Sequence, residues 1–135
     1  MTFDTNHGAV FGIIALHTSE PARTKAFYSR VFDWQEIPDV PFGAVGPDGF
    51  FMKRQGGENP EATILGAGDT GGVPVGQWIP QIAVDNIRDV AARCVEMGGE
   101  IVSEVQQVSE EDPGLMCRIR DPKGAILGLI QVVKG

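Results

Sequence analysis

Residues 13–34, IIALHTSEPARTKAFYSRVFDW, and residues 79–101, IPQIAVDNIRDVAARCVEMGGEI, state one pattern twice: a short apolar run, a capping residue, a helix-period stretch and a tight stop. Phe32-Asp33 in the first copy falls where Gly98-Gly99 falls in the second, 66 residues later and close to half of the 135-residue chain. Repetition at this scale constrains the fold strongly. A unit so small cannot bury its apolar face alone, so the two copies must pair, and a site belongs between them.

Each copy resolves into the same order of elements. In the first, residues 11–17, FGIIALH, read as a buried strand, and Thr18-Ser19-Glu20-Pro21 as a helix start with a hydroxyl cap, an acid near the positive end and proline in the first turn. Ala22, Ala26, Phe27 and Val31 form an apolar stripe at helical spacing. Extended structure resumes at Trp34–Ile37, and strands follow at Phe42–Val45 and Phe50–Arg54 around the turn Gly46-Pro47-Asp48-Gly49. Residues 55–76 hold seven glycines. They read as a connection and candidate flap, with room for a short strand at Ala62–Leu65.

The second copy opens with a strand at Trp78–Val84, caps at Asp85 or Asn86, and turns Ile87, Val90, Ala91, Cys94 and Met97 inward before Gly98-Gly99 ends the helix. Strands fit Glu100–Gln107, Leu115–Arg120 and Ala125–Val132, with Asp121-Pro122-Lys123-Gly124 as the last turn and Asp121 bonding its own backbone. The expected fold class is α+β, two βαβββ modules curling a mixed sheet into a cup with one helix covering each. One domain spans 1–135, with a first module at about 10–56, a connection at 57–75 and a second module at about 76–133.

A hydrophobic share of 42% suits one ordinary folded domain. No basic start precedes an apolar stretch, and no run approaches the ~18 apolar residues of a membrane span, so a cytoplasmic protein without a membrane partner is expected. The net charge of −7 and the lack of a basic stripe argue against nucleic acid. Cys94 falls on the inward side of a helix and Cys117 in an alternating strand, which makes both small buried hydrophobes rather than a disulfide framework.

Alternation then sorts the faces. In the first strand Ile14 and Leu16 face the helix, leaving Ile13, Ala15 and His17 for the cup. The fifth strand puts Ile82 and Val84 on the helix and Ile79, Gln81 and Ala83 on the other side. The last strand adds Ile126, Gly128 and Ile130 to the cup. This interior is aliphatic, with His17 and Gln81 as its polar points. His17 is the candidate general base, since an imidazole titrates near neutrality, although a strand-end histidine more often bonds backbone or solvent. Arg118, sharing a face with Met116 and Arg120, is a candidate clamp for a ligand carboxylate or phosphate, against the plainer role of pairing with nearby acids. Lys53 and Arg54 carry the same ambiguity. Trp34 and Trp78 offer stacking surfaces for a flat ligand or plugs for the ends of a core, and of the adjacent Phe50 and Phe51, Phe51 is assigned to the pocket. There is no HxH or HExxH spacing, no nucleophile elbow and no phosphate-binding loop.

The segments FYSRVFDW, MGGEIV and DPKGAILGLIQ, in this order over residues 11–132, resemble the vicinal oxygen chelate superfamily, the glyoxalase, bleomycin-resistance and extradiol-dioxygenase group. Ser19-Glu20-Pro21 stands for the "S-D-P" of its glyoxalase-like branch, and Asp33 replaces the usual glycine. The resemblance implies a homodimer. In metal-using members it also implies a divalent ion held from the first and fifth strands and from the strands ending each module. Carried over, those positions are Ile13, Ile79 and Gly128, with a fourth on Phe50–Arg54 that has no carboxylate. Aliphatic groups offer no lone pair, so no metal and no cofactor is expected.

The reading that follows is a metal-independent binder of a small molecule. Its ligand is held by Ile13, Ala15, Trp34, Phe51, Ile79, Gln81, Arg118 and Gly128. The rival is a lyase, isomerase or dioxygenase-type enzyme with an unorthodox metal site or acid–base chemistry by His17 and Arg118. A third possibility is an interaction module whose cup is closed by its own side chains.

Overall fold

In the computed structural model, which describes residues 5, 8–38, 49–57, 60–68, 72–108, 110 and 113–131, both copies of the repeat contribute to one continuous sheet. The first half comprises β1 (Val10–Thr18), α1 (Pro21–Phe32), β2 (Gln35–Ile37), β3 (Phe50–Lys53) and β4 (Ala62–Gly66). The second comprises β5 (Trp78–Ala83), α2 (Ile87–Glu96), β6 (Glu100–Gln107), β7 (Leu115–Arg120) and β8 (Ile126–Gln131). The strand order is β2-β3-β4-β1-β5-β8-β7-β6. Each half has its own parallel pair, β1 with β4 and β5 with β8, and an antiparallel β1–β5 seam joins them. The two modules therefore pair within one chain. The strand at Ala62 belongs to the first half, although it lies in the glycine-rich stretch, because its apolar ATIL core fills the place beside β1. The expected strand at Phe42–Val45 and most of its turn lie outside the described residues.

The two helices are seated differently. Asn86 caps α2, its Oδ1 accepting the Asp89 amide, and Ile87 and Ala91 are buried against Cys117, Ile119 and Leu129. Gly99 lets the next strand pass close beneath the helix, since a Cβ there would meet Cys94 Sγ at 2.5 Å and Arg120 O at 2.8 Å. Met97, expected inward, is 77% exposed, because the helix ends at Glu96 and the chain turns away at its C-cap.

The stripe Ala22, Ala26, Phe27 and Val31, expected to face the sheet, faces outward, and no residue of α1 is fully buried. Its inward side instead carries Tyr28, which joins an aromatic cluster with Trp34 and Trp78. Nor does a hydroxyl cap α1: Glu20 is the N-cap without a side-chain bond, while Thr18 Oγ1 accepts the Glu20 amide and pairs with Thr24 Oγ1.

Candidate functional site

Strand parity brings most of the expected cup residues together. Ala15 and His17 from β1, Ile79 and Gln81 from β5, Arg118 from β7 and Gly128 from β8 border one cleft on the sheet face opposite the helices. The register explains this: Ile79 lies opposite Ala15, and Gly128 lies between Gln81 and Arg118. Ile13 is buried on the same face but does not border the cleft, and Phe51 is buried two strands away beside Thr63. Trp34 is not in the cup. It stands on the helix side, stacked on Tyr28 at 5.4 Å between ring centroids, because it begins the extended segment directly under the end of α1.

His17 is 5% exposed. Its Nδ1 lies 2.9 Å from Gly66 O. A carbonyl only accepts, so Nδ1–H donates, which leaves Nε2 as the ring nitrogen open to a further partner. The His17 carbonyl accepts the Gly76 amide at 2.8 Å, which ties residues 72–77 to β1. From this strap Val73, 4% exposed, enters the cleft, and Gly72, at a positive φ of 90°, sits against Val102 of β6. The cleft is consequently almost full, with about 10 Å³ of free space. This strap lies within the connection named above as a candidate flap, but Val73 as its plug is not legible in the sequence. An isolated valine between prolines and glycines carries no periodicity to reveal its side.

Arg120, on the face it shares with Arg118, donates to Glu100 Oε2 at 3.0 Å on the sheet's far edge. Asp121 accepts the amides of Lys123 and Ala125 at 2.8 and 3.0 Å, and these bonds hold its carboxyl below the ordinary value of 3.8. Burial pushes the Cys117 thiol up to about 11, with Cys94 and Glu104 adding to the effect and Arg118 opposing it.

The register also corrects the fourth ion-ligand position. In the second half Gly128 is the parallel partner of Gln81, and the residue 66 positions before Gln81, Ala15, has Thr63 as its parallel partner. The position therefore lies on β4 at Thr63, not on the strand around Phe50. Thr63 Oγ1 is buried and meets no hydrogen-bond partner among the described residues. The four positions, Ile13, Thr63, Ile79 and Gly128, thus offer one hydroxyl. The Gln81 stem fills the space over Gly128, where an added Cβ would meet its Cγ at 3.0 Å. Among the described residues no three of His, Cys, Asp or Glu gather into a metal-binding group. This set does not fit a divalent ion, which needs several imidazole, thiolate or carboxylate donors. No described helix is long and apolar enough to cross a membrane.

With this geometry in place, the model of the Glyoxalase/Bleomycin resistance protein/Dioxygenase superfamily matches residues 10–129. No curated protein matches the chain. Similar solved structures include a glyoxalase/bleomycin resistance protein/dioxygenase superfamily member from Vibrio splendidus 12B01, at 14% identity and TM-score 0.61 over 90% of this chain and 99% of that one. The Mn(II)-bound glyoxalase from Novosphingobium aromaticivorans aligns at 18% identity and TM-score 0.59 over 93% of this chain and 40% of that one. The 2,3-dioxygenase LapB from Pseudomonas sp. KL28 aligns at 8% identity and TM-score 0.60 over 92% and 42%. At such identities the likeness establishes the fold alone.

Proposed function

Because the chain belongs to the Glyoxalase/Bleomycin resistance protein/Dioxygenase superfamily, we propose that it binds a small molecule in its cup without a metal ion, the ligand entering as Val73 withdraws. The observation that carries this reading is the convergence of one imidazole, one amide and one guanidinium, His17, Gln81 and Arg118, on an otherwise aliphatic cleft. A few placed polar groups in an apolar surround are what a binding site for an organic molecule requires. Arg118 supplies a cationic donor, His17 its second ring nitrogen, and Gln81 both a donor and an acceptor. A homodimer belongs to the same proposal, with the outward Phe27 and Val31 of α1 as an apolar face for it; light scattering tests that part.

Metal independence is tested by elemental mass spectrometry on protein dialysed against trace Zn²⁺, Mn²⁺, Fe²⁺ and Ni²⁺. Occupancy near zero is expected, and close to one ion per chain overturns this reading in favour of a metal-dependent enzyme. For the ligand, a thermal-shift screen reads binding directly, since a compound at 100 times its Kd adds ~2.7 kcal/mol to stability. The rival acid–base enzyme separates at His17→Ala: turnover that falls ~10²-fold or more marks His17 as a catalytic base, whereas a pure binder shows no turnover to lose.

A further inference from the structure

Shifting the inward residues of α2, Ile87, Val90, Ala91 and Cys94, back by 66 positions gives Pro21, Thr24, Lys25 and Tyr28, and these are half-buried in α1. Compact side chains let α2 settle on its sheet. In α1 a lysine and a tyrosine take the places of Ala91 and Cys94, and no residue of that helix is fully buried. The space left on the helix side is a cavity of about 590 Å³, against about 10 Å³ in the cup. Cavities of roughly 300–1,000 Å³ are the size class that holds organic ligands.

Its lining is of two kinds. Ile14, Met52 and Ala62 of the sheet form an aliphatic floor, and Tyr28, Trp34 and Trp78 form aromatic walls. Tyr28 and Trp34 stack at an interplanar angle of 14°, and Trp78 meets both edge-on at 81° and 84°. Trp78 Nε1–H donates to Tyr28 Oη at 2.9 Å, which fixes the cluster and leaves the phenol proton to give; it meets no acceptor among the described residues. Lys53, Arg54 and Glu61 border the same cavity, two cations to one anion. Lys53 Nζ donates to Gly57 O, and Glu61 takes the Arg54 backbone amide and lies 3.7 Å from Arg54 Nε. The Nη groups of Arg54 meet no acceptor among the described residues.

We infer that this cavity is a second small-molecule site, on the sheet face opposite the cup, for a planar aromatic compound bearing one carboxylate or sulfonate. Flat rings in the walls favour a flat ligand through stacked and edge contacts. The anionic group is held by Arg54 with the Tyr28 hydroxyl, a charge-assisted arrangement stronger than a neutral one. Parity keeps the two sites independent: Ile14 faces this cavity while its neighbour Ala15 faces the cup.

The test uses the full chain and two dyes, 8-anilino-1-naphthalenesulfonate and its uncharged analogue N-phenyl-1-naphthylamine, titrated while following emission from Trp34 and Trp78, the chain's two tryptophans. One saturable site is expected, with tryptophan quenching and tighter binding of the sulfonate. Ile14→Phe, at a position 44% exposed and so tolerant of change, fills the cavity and weakens both dyes at least tenfold. Arg54→Gln, a surface change that leaves folding untouched, weakens the sulfonate about tenfold and leaves the neutral dye unchanged. Dye binding without tryptophan quenching, equal loss of both dyes in Arg54→Gln, or abolition by Phe27→Ser on the outward face of α1 overturns the inference and assigns the dye to the exposed helix surface.

Discussion

Val73→Ala isolates the strap that plugs the cup. The valine is buried in the cleft, and alanine removes two methyl equivalents, which at ~0.8 kcal/mol each amounts to ~1.6 kcal/mol of lost apolar burial. If the strap opens while the sheet stays folded, that loss falls on the local opening equilibrium, which becomes about 15-fold more populated. The reporter is the Gly76 amide, whose bond to His17 O must break when the strap leaves. Its hydrogen exchange is therefore expected to quicken about 15-fold, while amides in the α2 core around Ile87 and Ala91 keep their protection beyond any change in global stability. The reasoning is refuted if Gly76 and the α2 amides accelerate together, because Val73 is then part of the global core and the cup has no gate of its own. An unchanged Gly76 rate with an unchanged melting temperature refutes the burial argument itself.

Two further predictions concern titratable groups. With its thiol raised to about 11, Cys117 is about one part in a thousand thiolate at pH 8, so a disulfide reagent is expected to modify at most one cysteine quickly under native conditions, Cys94, and to reach Cys117 only on unfolding; rapid modification of both contradicts the assigned burial. Asp121 has a folded pKa below its ordinary value, so its carboxylate stabilises the turn above that value and loses the effect as pH falls through and below 3.8. Melting curves of Asp121→Asn are expected to lie below wild type at pH 7 and to converge with it in acid, whereas a constant gap contradicts the role given to the charge.

Legibility in the sequence followed the physics that local pattern can carry. Strand parity put Ala15, His17, Ile79, Gln81 and Gly128 on one face correctly, because a period of two leaves a single alternative and one buried side decides it. Helix rotation for α1 was misread, because hydrophobicity at helical spacing pointed to Phe27 and Val31 while Tyr28, with a polar tip and a large ring, won the inward place through the Trp34 and Trp78 contacts. The signal that finds the right face was present: the 66-residue offset maps the well-patterned α2 onto α1 and selects Thr24, Lys25 and Tyr28 directly. The fourth ion-ligand position was misplaced because a strand's neighbour is fixed by long-range pairing. Only the observed β1–β4 register shows that Thr63 stands where Gly128 stands in the other half.

The aliphatic cup sets the terms on which a ligand binds. Ile79, where one of an ion's donors would stand, lines with Val73 a cleft that is nearly full, so the ligand-free state already has the burial that an open pocket would lack. A ligand must first displace Val73, whose two methyls add about 1.6 kcal/mol to the closed state and so lower apparent affinity about 15-fold relative to alanine there, and must then replace the lost contacts with its own apolar surface. A small polar molecule able to bond His17, Gln81 and Arg118 cannot make that replacement, whereas a compound with a hydrophobic body and one polar end can. The plug thus acts as a filter for amphipathic ligands. A series of carboxylic acids of increasing apolar area is expected to bind wild type with rising affinity and to gain a constant factor in Val73→Ala. An affinity set by the carboxylate alone, independent of apolar area, would place the ligand outside the cup.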